Sequence, residues 1–180
     1  PEIILKRMVE RFNRLFDKTM AGQAKKLGLS IKDVVILASL VEKETAASRE
    51  KPMVAAVFLN RLKKGMRLDC DPTVIYSLRL ENPAFNERLT KNHLRKISPY
   101  NTYLNYGLPP GPICSPGLES LQAVLNPIPV TYLYFVSKND GTHHFSETLP
   151  LSVCFRVFPW LNGFYRGLVA LIGVIFNADS

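Results

Sequence analysis

The stretch from residue 31 to residue 41 is apolar on nearly every face of a helix, and this limits most strongly how the chain can fold. Ser30 is a good N-cap, and Asp33 three residues later completes an acidic variant of the capping box. A helix that is hydrophobic almost all round must be covered by other elements. We therefore expect a central, buried helix that runs from about Ser30 to Thr45.

Glu44 lies at the end of this helix, and the positions three, four and seven residues before it share its face. Those positions hold Val41, Leu40 and Leu37. A carboxyl group held against Leu and Val resists ionisation, so we expect the pKa of Glu44 to rise. A group that keeps its proton near neutral pH can act as a general acid. The alternative is that Glu44 sits at a frayed helix end and reaches water. Glu42 is expected on another face, in a more solvated position.

Length and composition restrict the function classes. A chain of 180 residues supports one domain with, at most, an appendage. The formal net charge of +8 suggests an anionic partner, such as nucleic acid, a membrane surface or an acidic polymer. The basic residues are spread as pairs and no nucleic-acid motif occurs, which favours a solvated surface over a nucleic-acid groove. The three cysteines are far apart and lack metal-ligand spacing, so neither a disulfide framework nor a metal site is expected.

The remaining patterns predict an α+β fold. An amphipathic helix is expected over residues 3–20, a polar connection over 21–28, and a third long helix over 50–64. Shorter helices are expected to begin near Asp71, after Thr90 and near Gly117. Residues 132–145 alternate strand formers around an Asn-Asp-Gly turn, which indicates an antiparallel hairpin near the C-terminus.

A rigid, proline-rich loop carries polar and aromatic side chains between residues 98 and 113. Flat rings stack on pyranose faces, and amide and hydroxyl groups bond sugar hydroxyls, so this loop suits a glycan site. The alternative is a structural wrap around the core. The side chains in question are Tyr100, Asn101, Thr102 and Tyr103.

A glycosidase of the usual kind needs two carboxylates. The candidates to partner Glu44 are Glu42, Asp69, Asp71 and Glu119. Asp71 is better explained as a helix cap and Glu119 as a first-turn partner of the helix dipole, so no second carboxylate stands out. One carboxylate suffices if the substrate supplies its own nucleophile. His143 and His144 are expected to point to opposite faces of the hairpin, as ordinary strand residues.

Six motifs in order resemble the endolytic murein transglycosylase (YceG-like) family, over about residues 30–149. They are LASLVEKET at 37–45, VFLNRL at 57–62, MRL at 66–68, DPTVIY at 71–76, SPYNTY at 98–103, and GLPPGPI at 107–113 followed by SPG at 115–117. The resemblance implies a bacterial enzyme that cuts peptidoglycan strands within the chain, between N-acetylmuramic acid and N-acetylglucosamine. It also implies 1,6-anhydro-muramyl ends and no cofactor. The rival interpretation is a non-catalytic glycan-binding or scaffolding module of the cell-wall synthesis machinery.

The resemblance also assigns residues. The second Glu of the VEKET motif, Glu44, matches the catalytic acid of the family. The other matched positions are expected around the sugars: Asn60, Arg61, Asp71, Thr73, Tyr76, Tyr100, Asn101 and Thr102.

Two departures from the family pattern concern the ends. Family members carry an N-terminal membrane helix and a LysM-like subdomain before the catalytic part, and neither is found in this chain. The resemblance thus implies that residues 1–149 are the catalytic portion of a protein of the bacterial cell envelope. It implies an anchor in the inner membrane that is not in this chain, with the catalytic portion outside the cytoplasm, in the periplasm. Penicillin-binding proteins are possible partners. Residues 150–180 form an apolar tail unlike the family, expected to be dispensable for chemistry.

Overall fold

The computed structural model describes residues 2–148, and over this range it has seven helices and one two-stranded sheet. The fold is α+β, as predicted from the sequence. The apolar tail that the sequence predicts from residue 150 onward lies outside the described residues.

The two N-terminal helices are α1 (Glu2–Leu15) and α2 (Lys18–Lys26). The predictions of one long helix and of a polar connection after residue 20 are therefore wrong. The side chain of Asp17 accepts a hydrogen bond from the backbone N–H of Met20 at 2.9 Å and caps α2. Because Asp17 starts a separate helix, α2 can run in its own direction and bury Met20 and Ala24 in the core.

Helix α3 (Ile31–Glu44) is the central helix that the sequence predicts. The Ser30 hydroxyl accepts from the Asp33 N–H at 3.1 Å, and the Asp33 carboxylate accepts from the Ser30 N–H at 3.0 Å. The capping box is therefore complete. Between Val34 and Val41 every side chain except that of Val35 is buried.

Helices α4 (Lys51–Lys63) and α5 (Asp71–Glu81) follow. Gly65 ends α4 with a φ of 65°, the left-handed conformation expected of a glycine just beyond a helix. The residue that caps α5 is Cys70, which makes no side-chain capping bond, so the interpretation of Asp71 as a cap is wrong. Asp71 is the first residue of α5, and its side chain is free for other contacts.

Two short helices complete the helical part, α6 (Lys91–Leu94) and α7 (Leu118–Leu125). Thr90 caps α6 as predicted. Helix α7 packs against α2, α3 and α4, while α5 packs against α3 on another side. The proline-rich segment between α6 and α7 wraps over the core without regular structure.

The sheet is a hairpin of β1 (Tyr134–Ser137) and β2 (His143–Ser146), close to the predicted one. The strands are antiparallel, with Phe135 opposite Phe145. β1 packs against α4. Among the described helices, none combines the length and apolar character needed to cross a membrane.

Candidate functional site

A cavity of about 190 Å³ opens where α3 ends and α5 begins. Its wall combines four charged side chains with one hydroxyl and two apolar groups, contributed by α3, α4, α5, β1 and the connecting loops. The lining residues are Glu44, Arg61, Leu68, Asp69, Asp71, Tyr103 and Phe135. The end of α3 is thus the wall of a built site, and the alternative of a frayed, solvated helix end for Glu44 does not fit it.

Glu44 is partly buried, and its pKa is raised to about 7. Burial is the main cause, because a low-dielectric surrounding disfavours the charged carboxylate. The negative charge of Asp71 raises the pKa further, whereas hydrogen bonding from the Cys70 thiol and the positive charge of Arg61 lower it. The direction agrees with the expectation from the apolar face. A carboxyl group that is about half protonated at neutral pH can both donate and accept a proton.

Glu42 faces another part of the molecule, as expected, but it is not simply solvated. Its carboxylate accepts hydrogen bonds from the Gly117 N–H at 3.2 Å and from the Ser120 hydroxyl, and Lys51 lies 3.3 Å away. The Ser120 bond is the largest cause of a lowered pKa for Glu42. This acid therefore joins α7 to α3 and α4, outside the cavity.

Arg61 is held rigidly at the cavity wall by backbone carbonyls. Its Nε donates to the Leu133 carbonyl at 2.7 Å, and its Nη1 donates to the Arg67 and Leu68 carbonyls at 3.1 and 3.0 Å. The Tyr134 ring lies over the guanidinium, 5.1 Å from its central carbon. These contacts fix a positive charge beside Glu44.

Asp69 and Asp71, two of the carboxylates that the sequence offers as partners of Glu44, both lie in the cavity wall. Asp71 accepts a hydrogen bond of 2.6 Å from the Tyr103 hydroxyl. Asp69 lies 3.1 Å from Arg61 Nη1 and 3.8 Å from Arg67 Nε, with a backbone φ of 48°. Burial raises the pKa of Asp69, and the two arginines oppose that rise. Both acids are thus tied to protein partners.

Tyr103 belongs to the polar and aromatic loop that the sequence suits to a glycan site, and it lines the cavity although the family resemblance assigns it no role. Burial is the main cause of its raised pKa, with the charge of Asp71 adding to it. In the sequence, the one indication that Tyr103 belongs to the site is its position directly after the family-matched residues Asn101 and Thr102. Its contact with Asp71, which lies 32 positions earlier in the chain, cannot be predicted from a local sequence pattern.

Thr73 and Thr102 lie beneath the cavity rather than in its wall, and both are buried. Their hydroxyl oxygens are 2.9 Å apart. Thr102 accepts from the Cys70 N–H at 3.0 Å, and Thr73 donates to the Cys70 carbonyl at 2.6 Å. The two threonines thus bind the N–H and the carbonyl of Cys70, and so fix the backbone between the cavity residues Asp69 and Asp71.

Asn60 and Asn101 also use their side chains inside the protein. The Asn60 amide donates to the Val130 and Tyr132 carbonyls at 2.8 and 3.0 Å, which ties α4 to the irregular segment that leads into β1. Asn101 is 0% exposed, and its amide donates to the carbonyls of Leu94 and Lys96 at 3.0 and 2.8 Å. The expectation of a direct sugar contact does not fit the fully buried Asn101 amide, whereas Asn60 is only partly buried.

Tyr76 and Tyr100 form an aromatic pair, with ring centroids 4.8 Å apart. Both are partly exposed, and neither lines the cavity. His143 and His144 lie on opposite faces of β2 as predicted: His143 is turned inward, and His144 is exposed. Over residues 2–148 no group of three or more His, Cys, Asp or Glu side chains is arranged to hold a metal ion.

Comparisons with known proteins agree with this architecture. A Bacillus subtilis protein named endolytic murein transglycosylase is 39% identical over 148 residues, which is 82% of this chain and 40% of the relative. A Streptococcus pneumoniae protein of the same name is 31% identical over 135 residues, 72% of this chain and 24% of the relative. The chain thus spans less than half the length of these relatives.

A solved structure has the same fold. The crystal structure of a YceG-like protein from Listeria monocytogenes superposes with a TM-score of 0.72 at 38% identity. The match covers 82% of this chain and 46% of that one. A family model described as the YceG-like family matches residues 1–150. Six ordered motifs, the fold and this match lead to one conclusion: the chain belongs to the YceG-like family.

Proposed function

We propose that residues 1–149 are the catalytic portion of an endolytic murein transglycosylase. The substrate would be the peptidoglycan glycan strand, cut between N-acetylmuramic acid and N-acetylglucosamine. The observation that carries the proposal is Glu44, a partly buried acid with a pKa of about 7 at the wall of a polar cavity. The names of the relatives support the substrate class.

In the proposed mechanism, Glu44 acts twice. Its protonated carboxyl donates a proton to the glycosidic oxygen, and the bond from that oxygen to C1 of the muramyl sugar breaks. The C6 hydroxyl of the same sugar attacks C1 and gives its proton to the Glu44 carboxylate, which closes the 1,6-anhydro ring. No water is consumed, and Glu44 ends protonated as it began. General acid–base help of this kind contributes roughly 10²–10⁴ in rate.

The other cavity residues would orient and polarise the sugar. In the described part of the chain, the hydrogen bonds of Arg61 use Nε and Nη1, which leaves Nη2 for a substrate acceptor. The negative charge of Asp71 raises the pKa of Glu44 and so helps Glu44 to keep its proton until it is donated to the glycosidic oxygen. Phe135 supplies an apolar surface against which a sugar ring can rest.

The matched residues outside the cavity wall would act indirectly or at a further sugar position. Thr73, Thr102, Asn60 and Asn101 hold the backbone that carries the cavity residues. The exposed parts of the Tyr76–Tyr100 pair could contact a sugar further along the strand.

The proposal includes a setting in the cell. Action on peptidoglycan places the domain in the bacterial cell envelope, outside the cytoplasm. Anchoring at the inner membrane through a segment outside this chain, and contact with penicillin-binding proteins, are proposed from the family resemblance alone.

Mass spectrometry of digested peptidoglycan tests the proposal. Purified glycan strands are incubated with the protein, and the fragments are separated and weighed. A 1,6-anhydro-muramyl end is lighter than a reducing end by one water, so we expect fragments with this mass deficit. Reducing ends would identify a hydrolase. Bound but uncut strands would favour the non-catalytic glycan-binding or scaffolding module.

A further inference from the structure

We propose that Glu50 and His143 are positioning residues that hold the β1–β2 hairpin against the cavity and so keep Glu44 shielded from water. The consequence for catalysis rests on the proposed function. The pair lies outside the cavity wall, and none of the sequence motifs assigns it a role.

The contact between the two residues is buried and double. The Glu50 carboxylate accepts from the His143 backbone N–H at 3.1 Å and contacts the His143 ring Nδ1 at 2.7 Å. Glu50 is 5% exposed, and the His143 side chain 12%. Burial alone would raise the pKa of Glu50, but the two His143 bonds, together with the charges of His143 and Arg49, outweigh it and hold the pKa below its usual value. A buried acid that remains ionised needs this partner.

The first two residues of β1 and the residue just before them contribute to the site. The Leu133 carbonyl accepts from Arg61, the Tyr134 ring covers the same guanidinium, and Phe135 lines the cavity. The His143 ring packs edge-on against Phe135, with centroids 5.4 Å apart. The side chain that is anchored to Glu50 therefore also supports the apolar wall beside Glu44.

A two-stranded hairpin is marginally stable by itself, so its position depends on what attaches it to the helical body. Glu50 stands just before α4, at the N-terminal end of the helix that carries Arg61. The Glu50–His143 contact fixes the outer part of the hairpin, and Asn60 fixes the chain leading into it. Without the pair, we expect the hairpin to move away from α4 and admit water to the cavity.

The test is the titration of Glu44 itself. The pKa is measured from the carbon-13 shift of its side-chain carboxyl, with the signal assigned by its loss in Glu44→Gln. The described groups whose charge or hydrogen bonding acts on Glu44 are Cys70, Asp71 and Arg61, and none of them is substituted in these variants. We expect His143→Leu to lower the pKa of Glu44 by about one unit or more, because hydration favours the carboxylate. His143→Asn keeps a hydrogen-bond donor for Glu50, so the pKa of Glu44 in this variant should stay close to its wild-type value.

Two controls separate positioning from stability. His144→Leu makes the same change on the exposed face of the same strand and should leave the titration unmoved. Lys51→Met removes a buried ammonium group that pairs with the partly exposed Glu42, and it should lower the melting temperature without moving the titration. If His143→Leu does not fold, Glu50→Gln serves as the milder variant, with a smaller shift in the same direction.

Cleavage kinetics complete the test. We expect His143→Leu to lower kcat/KM roughly 10–100-fold, since small displacements of a site wall have effects of this size. An unmoved Glu44 titration in a folded His143→Leu or Glu50→Gln protein would overturn the inference. A shifted titration together with a wild type that makes no anhydro product would uphold the shielding role of the pair and reject the proposed function.

Discussion

Glu42 and Glu44 lie two residues apart on α3, yet their surroundings shift their pKa values in opposite directions. Glu42 accepts hydrogen bonds from Ser120 and Gly117, which stabilise its ionised form and lower its pKa. Glu44 is desolvated at the cavity wall, which raises its pKa to about 7. The two acids are therefore suited to different tasks: Glu42 joins helices, and Glu44 can transfer a proton.

We expect Glu44→Gln to abolish strand cleavage while the fold and glycan binding remain. The amide keeps the shape of the side chain but cannot donate or accept a proton at working pH. The loss should be at least about 10²-fold in kcat, measured from anhydro-product formation. Glu42→Gln is the matched control, and it should retain cleavage. An active Glu44→Gln with an inactive Glu42→Gln would move the assignment by two residues.

The pH dependence of kcat/KM should report the raised pKa of Glu44. The general acid must be protonated in the free enzyme, so activity falls as the pH rises through its pKa. We expect this alkaline limb near pH 7, the value to which burial raises the Glu44 pKa. A limb near 4.5, the ordinary pKa of a glutamate side chain, would mean that Glu44 is solvated.

Glu44 should also reduce the stability of the fold as the pH rises. Its folded pKa lies above its unfolded value, so the native state binds the proton more tightly. The stabilisation is complete below about pH 4.5 and is lost as the pH rises through about 7. Glu44→Gln should therefore gain free energy of unfolding at pH 8 relative to wild type, on the order of 1–3 kcal/mol. Urea titrations of both proteins at pH 5 and pH 8 measure the free energy of unfolding. The same difference between Glu44→Gln and wild type at both pH values would contradict the prediction.

The sequence predicts the central helix and the acid because both signals are local. The Ser30–Asp33 capping box and the apolar face of Glu44 depend on spacings within two turns of one helix. The hairpin is predicted for the same reason, from an alternating pattern around a turn. The break at Asp17 was missed because the apolar periodicity continues across it, and only the tertiary core shows why α2 turns away.

The sequence offers both cavity aspartates as candidates, but their hydrogen-bond partners were not predictable, because these depend on contacts between different segments of the chain. Asp71 precedes a proline and stands at a helix start, which favours a cap on local grounds. The structure instead gives the cap position to Cys70 and pairs Asp71 with Tyr103. Asn101 matches a family motif, but motif position does not distinguish a ligand-binding amide from a buried one.

We expect Tyr103→Phe to lower kcat/KM by roughly tenfold. The substitution keeps the ring and removes a hydrogen bond to an ionised acid, a contact worth about 1.5–3 kcal/mol. Without it, Asp71 is less well fixed beside Glu44. Tyr106→Phe is the matched control, because Tyr106 is exposed, and it should behave as wild type. Equal rates for the two variants would show that the Tyr103–Asp71 contact is irrelevant to the chemistry.

Asn101→Ala should destabilise the protein rather than weaken a sugar contact. The substitution removes the donors to the Leu94 and Lys96 carbonyls and the acceptor for the Tyr103 N–H. Buried polar groups left without partners cost about 1–3 kcal/mol each, so we expect a loss of at least about 2 kcal/mol in unfolding free energy.

Asn92→Ala, at an exposed position, is the matched control for this change and should stay within about 0.5 kcal/mol of wild type. Glycan affinity is compared in the inactive Glu44→Gln background, at a temperature where both proteins are folded. There Asn101→Ala should bind glycan within about threefold of its parent, a difference of less than 1 kcal/mol. Unchanged stability with a tenfold weaker affinity would show instead that Asn101 reaches the sugar, as the family resemblance implies.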